Sequence, residues 1–183
     1  KRYVESMDFS IDSESLITSS SDKSVRIWDL NKEKKENFSM GNHRVQEVKF
    51  VPNSQNFVTA GTNDFLKIWD SRDGSFIRDL IFHKGKINAL SFHPEEPVML
   101  SAGSDKYWVL WNVKSGEVIR SRKGHSSQIL SATISPKGNY FATAGSDLSV
   151  IIWKYPQGEQ VIKLKGHKKA ITTLDFSPDG KFL

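Results

Sequence analysis

The chain has 183 residues, 37% of them hydrophobic, and no apolar run approaches the ~18 residues of a membrane-spanning helix, which excludes that class. It contains no Cys, which excludes a disulfide scaffold and a Cys-ligated zinc site. The net charge of +5 is unevenly spread: residues 1–41 carry seven basic and eight acidic side chains, residues 42–82 five of each, and residues 83–183 fourteen and eight.

In chain order, the first marker is Phe9, followed by Trp28 and Asp29. The pair of aromatic positions returns as Phe50 and Trp69, then Phe92 and Trp111, then Ile134 and Trp153, and Phe176 begins another round. The tryptophans stand 41, 42 and 42 residues apart. His43, His83 and His125 precede the last three of them by 26 to 28 residues, and His167 opens the next copy. The repeats run over residues 1–41, 42–82, 83–124, 125–166 and, in part, 167–183. A period of about 40 residues means one supersecondary unit copied, each copy needing its neighbours to bury its apolar faces.

The third copy shows the unit most plainly. Lys86–His93 alternates apolar and polar residues and ends at Pro94; Val98–Gly103, Tyr107–Asn112 and Glu117–Arg122 follow. Pro94, Ser104-Asp105 and Ser115-Gly116 punctuate them. Short alternating segments bounded by turn residues predict an antiparallel sheet of four strands per copy. No helical periodicity extends beyond two turns. The expected fold class is all-β, without a helix along Lys86–Leu110.

Gly124-His125, Gly166-His167, Ser177-Pro178-Asp179-Gly180, Trp28-Asp29 and Trp69-Asp70 resemble the marks of the WD40-repeat β-propellers. The resemblance covers essentially the whole chain. It implies four four-stranded blades plus a partial fifth, an open arc of a larger, seven-bladed ring, read here as a single propeller fragment. It also implies a hydrogen-bonded tetrad in each blade, linking a His, a Ser or Thr, an Asp and the Trp. Residue by residue these are His83, Ser101, Asp105 and Trp111, then His125, Thr143, Asp147 and Trp153. The second copy offers His43, Thr59 and Trp69, with Asn63 in the Asp position and Asp64 one place later. The first offers Thr18, Asp22 and Trp28. Asn112 and Lys154 depart from the family's Asp after the Trp.

Ser, His and Asp in one pattern also invite a hydrolase reading. Their recurrence in every complete copy argues for a structural task, because a nucleophile site is single and asymmetric. The histidines lie one per repeat, with no second ligand at metal spacing. No phosphate-binding glycine loop occurs, so neither a cofactor nor a metal is expected. No signal peptide is visible, and a chain that opens at Lys1 without Met and stops at Leu183 reads as a fragment of an intracellular protein, cytoplasmic or nuclear.

Function is then expected on the surface. In the family the His loops and the Asp turns share one end of the blades, which commonly binds peptides or proteins. Phe65 and Tyr107 stand where Ser24 and Ser149 stand in the other copies, as aromatic anchors for a partner or as locally packed residues. Arg44, Lys84, Lys86, Lys168 and Lys169 would ring them, suiting an acidic or phosphorylated peptide. Trp108 replaces the aliphatic residue seen as Val25, Leu66 and Val150 and is expected between blades. The leading reading is a non-enzymatic scaffold of a multiprotein complex. Residues 93–153 also resemble WD40 proteins of ciliary axonemes and centrioles, where a basic surface would face tubulin. RNA binding by the basic half is a further alternative.

Overall fold

The computed structural model describes residues 3–32, 34–39, 44–61 and 65–183. Among them are sixteen strands in four antiparallel sheets and no helix. The first sheet holds β1 (Val4–Phe9), β2 (Ser15–Ser20), β3 (Ser24–Asp29) and β4 (Lys34–Ser39). The second holds β5 (Val45–Phe50), β6 (Asn56–Gly61), β7 (Phe65–Asp70) and β8 (Phe76–Ile81). The third holds β9 (Ile87–Phe92), β10 (Val98–Gly103), β11 (Tyr107–Asn112) and β12 (Val118–Lys123). The fourth holds β13 (Ile129–Ile134), β14 (Tyr140–Gly145), β15 (Ser149–Lys154) and β16 (Glu159–Lys165). Within each sheet every strand pairs with its sequence neighbour, giving four propeller blades.

The turns follow from local chemistry. After the third strand, the carboxylate of Asp29 accepts from the Asn31 and Lys32 amides, and that of Asp70 from Arg72. Asn112 accepts from Lys114 and Ser115 with its side-chain carbonyl, so the missing Asp costs that turn nothing. Between the second and third strands, Lys23, Lys106 and Leu148 adopt left-handed backbone, with φ of 69°, 74° and 64°.

The chain divides into two compact units, residues 1–82 and 83–183. In the first, Ile17 and Val25 meet Val45, Val48 and Phe57, and Phe57 stacks with both Phe38 and Trp69. Asp8 ties the two blades by accepting from Lys49 and from the Phe50 amide, each at 3.0 Å.

In the second unit the core lies between the third and fourth blades. Leu100, Ala102, Trp108 and Leu110 face Ile129, Phe141, Ile151 and Trp153. Trp108 is 0% exposed, as expected for a residue between blades, with its ring centroid 4.9 Å from Phe141 and 5.3 Å from Trp153. Two glycines make room for it. A Cβ at Gly124 would lie 2.9 Å from Trp108 Cδ1, and one at Gly158 would lie 2.5 Å from Cη2. A second seal sits at the other end of the strands. His93 accepts through Nδ1 from the Glu95 and Glu96 amides and packs at a tilt against Tyr155, ring centroids 4.7 Å apart, and Tyr155 donates its hydroxyl to Glu96 at 2.6 Å.

Of the expected inner-strand markers, Phe9, Phe50, Phe92 and Ile134 end β1, β5, β9 and β13. Phe176 does not lie on a strand. Residues 170–176 make point bonds instead of a ladder: the Ile171 amide to Gly145 O at 3.3 Å and the Leu174 amide to Ser131 Oγ at 3.1 Å. Burial also varies among these markers: Ile134 is 7% exposed and packed in the inter-blade core, whereas Phe9 is 58% exposed.

Candidate functional site

The repeated polar sets are best read from the indole outward, because an indole N–H can only donate. Trp111 Nε1 donates to Ser101 Oγ at 2.8 Å, and Ser101 Oγ lies 2.7 Å from His83 Nε2. The opposite ring nitrogen, Nδ1, is 2.8 Å from Asp105 Oδ2. The carboxylate can only accept, so Nδ1 carries the proton and the Ser101 hydroxyl donates to Nε2. The fourth blade repeats this: Trp153 to Thr143 at 2.9 Å, Thr143 to His125 at 2.7 Å, and His125 to Asp147 at 2.9 Å. Both chains of donation run from a buried indole through an imidazole to a carboxylate.

Electrostatics match this direction. Burial would push the Asp147 carboxyl up, but bonds from Ser149, His125 and the Ser126 amide outweigh it and hold the group far below the usual carboxylate range. Burial likewise lowers His125 below the ordinary imidazole value, against the pull of Asp147. Asp105 is also lowered: burial opposes, and the bond from His83 prevails. The Ser101 and Thr143 hydroxyls are 0% exposed, so neither can meet a substrate. The geometry closes the blade around these two hydroxyls.

In the first unit the described bonds start from the indole in the same way. Trp69 donates to Thr59 at 2.9 Å and Trp28 to Thr18 at 3.0 Å. His43 and Asn63, with Asp64, lie outside the described residues. In the first blade Asp22 takes the Arg26 guanidinium at 2.8 Å and the Ser24 hydroxyl and amide. Those bonds, Ser24 first and Arg26 second, hold its carboxyl well below the carboxylate range.

Ser24 and Ser149 therefore have a task the spacing did not reveal. Each hydroxyl donates to the Asp two places before it, Ser149 to Asp147 at 2.6 Å. Tyr107 supplies its amide to Asp105 at 3.1 Å. The signal was in the sequence, as Ser recurs at that position in two blades, but its partner was not.

Backbone bonds gather the predicted lysines of residues 83–183 at one end of the strands. The Lys84 amide donates to Asp105, the Ser104 amide to Lys86 O, and the Gly124 amide to Lys106 O. In the fourth blade the Ser126 amide reaches Asp147, the Ser146 amide reaches Gln128 O, and Ile171, just after Lys168 and Lys169, reaches Gly145 O. Lys84, Lys86, Lys168 and Lys169 are exposed there, beside Lys106 and Lys123. Among the described residues none of these six has an ion-pair partner. Tyr107 stands on the same end, opposite Lys123 in the ladder. In the first unit, Arg44 is engaged with Glu5. Phe65 is 39% exposed and lies across from Ile81, with the Lys67 ammonium 5.7 Å from its ring.

Among the described residues no group of His, Cys, Asp and Glu could hold a metal, and no helix is long and apolar enough to cross a membrane. The WD40 family profile (WD domain, G-beta repeat) matches residues 1–29, 34–70, 74–112, 116–154 and 158–183. The chain is 30% identical over 95 residues to a guanine nucleotide-binding protein subunit beta of Saccharomyces cerevisiae, covering 48% of this chain and 22% of that protein. It is 31% identical over 84 residues to the transcriptional corepressor LEUNIG_HOMOLOG of Arabidopsis thaliana, covering 45% and 11%. To ribosome assembly protein 4 of Saccharomyces cerevisiae it is 35% identical over 66 residues, covering 35% and 13%. The matched stretches thus span a quarter or less of each relative's length. Repeat profile, blade topology and hydrogen-bonded sets agree: the chain belongs to the WD40-repeat family.

Proposed function

We propose that this chain is a non-enzymatic scaffold that holds a protein partner, an acidic or phosphorylated segment, on the lysine-rich end of residues 83–183. One observation carries the reading. Six lysines stand at that end without an ion-pair partner among the described residues, while its two carboxylates, Asp105 and Asp147, are consumed by His83 and His125. A surface with cations and no free anion favours an acidic partner and speeds its encounter. Phosphate oxygens would take charge-assisted bonds from the ammonium groups. Tyr107 adds an aromatic beside Lys84 and Lys86; Phe65 and Arg44, in the first unit, are the other proposed partner residues. The relatives' names support a scaffold over a catalyst. They speak of a subunit, a corepressor and an assembly protein, three roles that share no reaction. An intracellular location, cytoplasmic or nuclear, is part of the same proposal.

The test is binding of a phosphorylated acidic peptide at several salt concentrations. Lys84→Glu/Lys86→Glu/Lys168→Glu/Lys169→Glu should abolish it, and Lys137→Glu, in a turn at the other end of the strands, should leave it intact. Equal loss in both would sink the assignment. A ciliary or centriolar role rests on the resemblance of residues 93–153 and on the acidity of tubulin. Salt-sensitive co-sedimentation with microtubules would favour it, and preferential binding of oligouridylate would favour the RNA alternative.

A further inference from the structure

Leu148 sits at the lysine-rich end in a conformation that L residues avoid. Its φ of 64° is left-handed, where the side chain crowds the following carbonyl and glycine is the ordinary choice. It cannot offset that strain as Asn or Asp do, by a local hydrogen bond. Nor does packing account for it, since the side chain is 37% exposed. The left-handed turn itself recurs at Lys23 and Lys106, so what is particular to Leu148 is an apolar, part-exposed side chain where those turns carry lysine. Such a backbone persists where the surroundings over-determine it.

The surroundings here do over-determine it. Asp147, immediately before, is fixed by His125, the Ser126 amide and the Ser149 hydroxyl. The Leu148 amide donates to Gly145 O at 3.2 Å, closing the turn. The side chain is therefore presented by a rigid turn. Lys106 occupies the equivalent turn of the third blade with φ 74°, and Lys163 Nζ lies 3.9 Å from Asp147. Lys168 and Lys169 precede Ile171, whose amide bonds to the Gly145 carbonyl that Leu148 shares. Five of the other acids of residues 83–183 lie away from this end. Glu95, Glu96, Glu117, Glu159 and Asp179 stand in the turns at the opposite end of the strands or beside them.

We propose that Leu148 is the apolar contact of the lysine-rich end, and that its partner is an extended acidic segment carrying one aliphatic or aromatic side chain. The inference rests on the acidic-partner reading above and adds what that reading lacks, a determinant of specificity beyond charge. The lysines draw in any acidic chain; Leu148 selects one with an apolar residue among its carboxylates. Apolar burial at the centre of a charged ring is the usual division of labour between affinity and steering.

The probe is a labelled glutamate-rich peptide with a central leucine, compared by fluorescence anisotropy with the same peptide carrying a central serine. The chain Lys1–Leu183 should prefer the leucine peptide about tenfold. Leu148→Gly should erase that preference, keep the weaker salt-sensitive binding of both peptides, and melt no lower than the parent, because glycine accepts the left-handed φ. Leu148→Lys, which copies the residue found at positions 23 and 106, should erase it too. If the preference survives both variants, the Leu148 inference is overturned while the acidic-partner reading stands. If neither peptide binds but oligouridylate does, both fall. If both variants melt several degrees lower, Leu148 is a packing residue and the inference is likewise overturned.

Discussion

The two units share one blade plan, and among the described residues their tryptophans differ in burial. In residues 83–183, Trp111 and Trp153 each start a chain of donation that ends on an ionised carboxylate, and each is 1% exposed. In residues 1–82, Trp28 and Trp69 donate to a threonine and remain half-buried. Lys35 lies over the Trp28 ring, and Asp22 pairs with Arg26. In both units the indole-to-hydroxyl bond joins the second and third strands. In residues 83–183 the His and Asp add a tie from the loop before the blade to the turn within it. Charge divides along the same line. Residues 1–82 carry twelve basic and thirteen acidic side chains, against fourteen and eight in residues 83–183.

The largest expected effect is at Trp108, which only the second unit has. Trp108→Ala removes a fully buried ring from between two blades and should cost about 3–5 kcal/mol. Trp28→Ala, at a half-buried site, should cost less than half as much. Thermal or urea melts of the two variants give the comparison directly. Equal losses would erase the distinction drawn between the units.

Next comes the carboxylate. Asp147→Ala strands the His125 N–H and the Ser126 amide and should cost about 1–3 kcal/mol. Asp22→Ala strands the Ser24 hydroxyl and amide but no imidazole, and it frees an Arg26 side chain that is 29% exposed and can turn to water, so its cost should be the smaller of the two.

The pH dependence is smaller and sharpens the same contrast. His125 is lowered in the folded chain, so the unfolded state takes up the proton first as pH falls. Its contribution is complete above about pH 6.5 and is lost as pH falls from there toward the folded value. Asp147 is lowered as well, so its contribution is present above the ordinary carboxylate range and is lost below it. Acid titration of stability should therefore begin below about pH 6.5 in the parent chain and lose that first phase in His125→Gln. A first phase that persists in the variant would assign it to another group.

The parts legible in the sequence are those that repeat at a fixed spacing. Strand order, the all-β class and the membership of the His83 and His125 sets follow from one period and from the family's pattern. Single, long-range fits do not repeat and were not legible. Trp108 was expected between blades, but nothing in its own repeat signals that Gly158, in the next one, must lack a Cβ. Tyr155 could not be matched to Glu96 across 59 residues. The donation of Ser149 to Asp147 depends on turn geometry, as does the left-handed backbone of Leu148. Phe176 was expected on a strand because its position repeats, yet a strand also needs a ladder partner, and point bonds took its place.

Native-state hydrogen exchange read by mass spectrometry tests the central comparison most directly, because it reports both units in one sample. The amides of β10, β11, β14 and β15 should exchange at least tenfold more slowly than those of β2, β3, β6 and β7. In Asp147→Ala that protection should shrink in β14 and β15 while β2 and β3 stay unchanged. Equal protection in the two units, or a loss spread evenly over all four blades, would contradict the account.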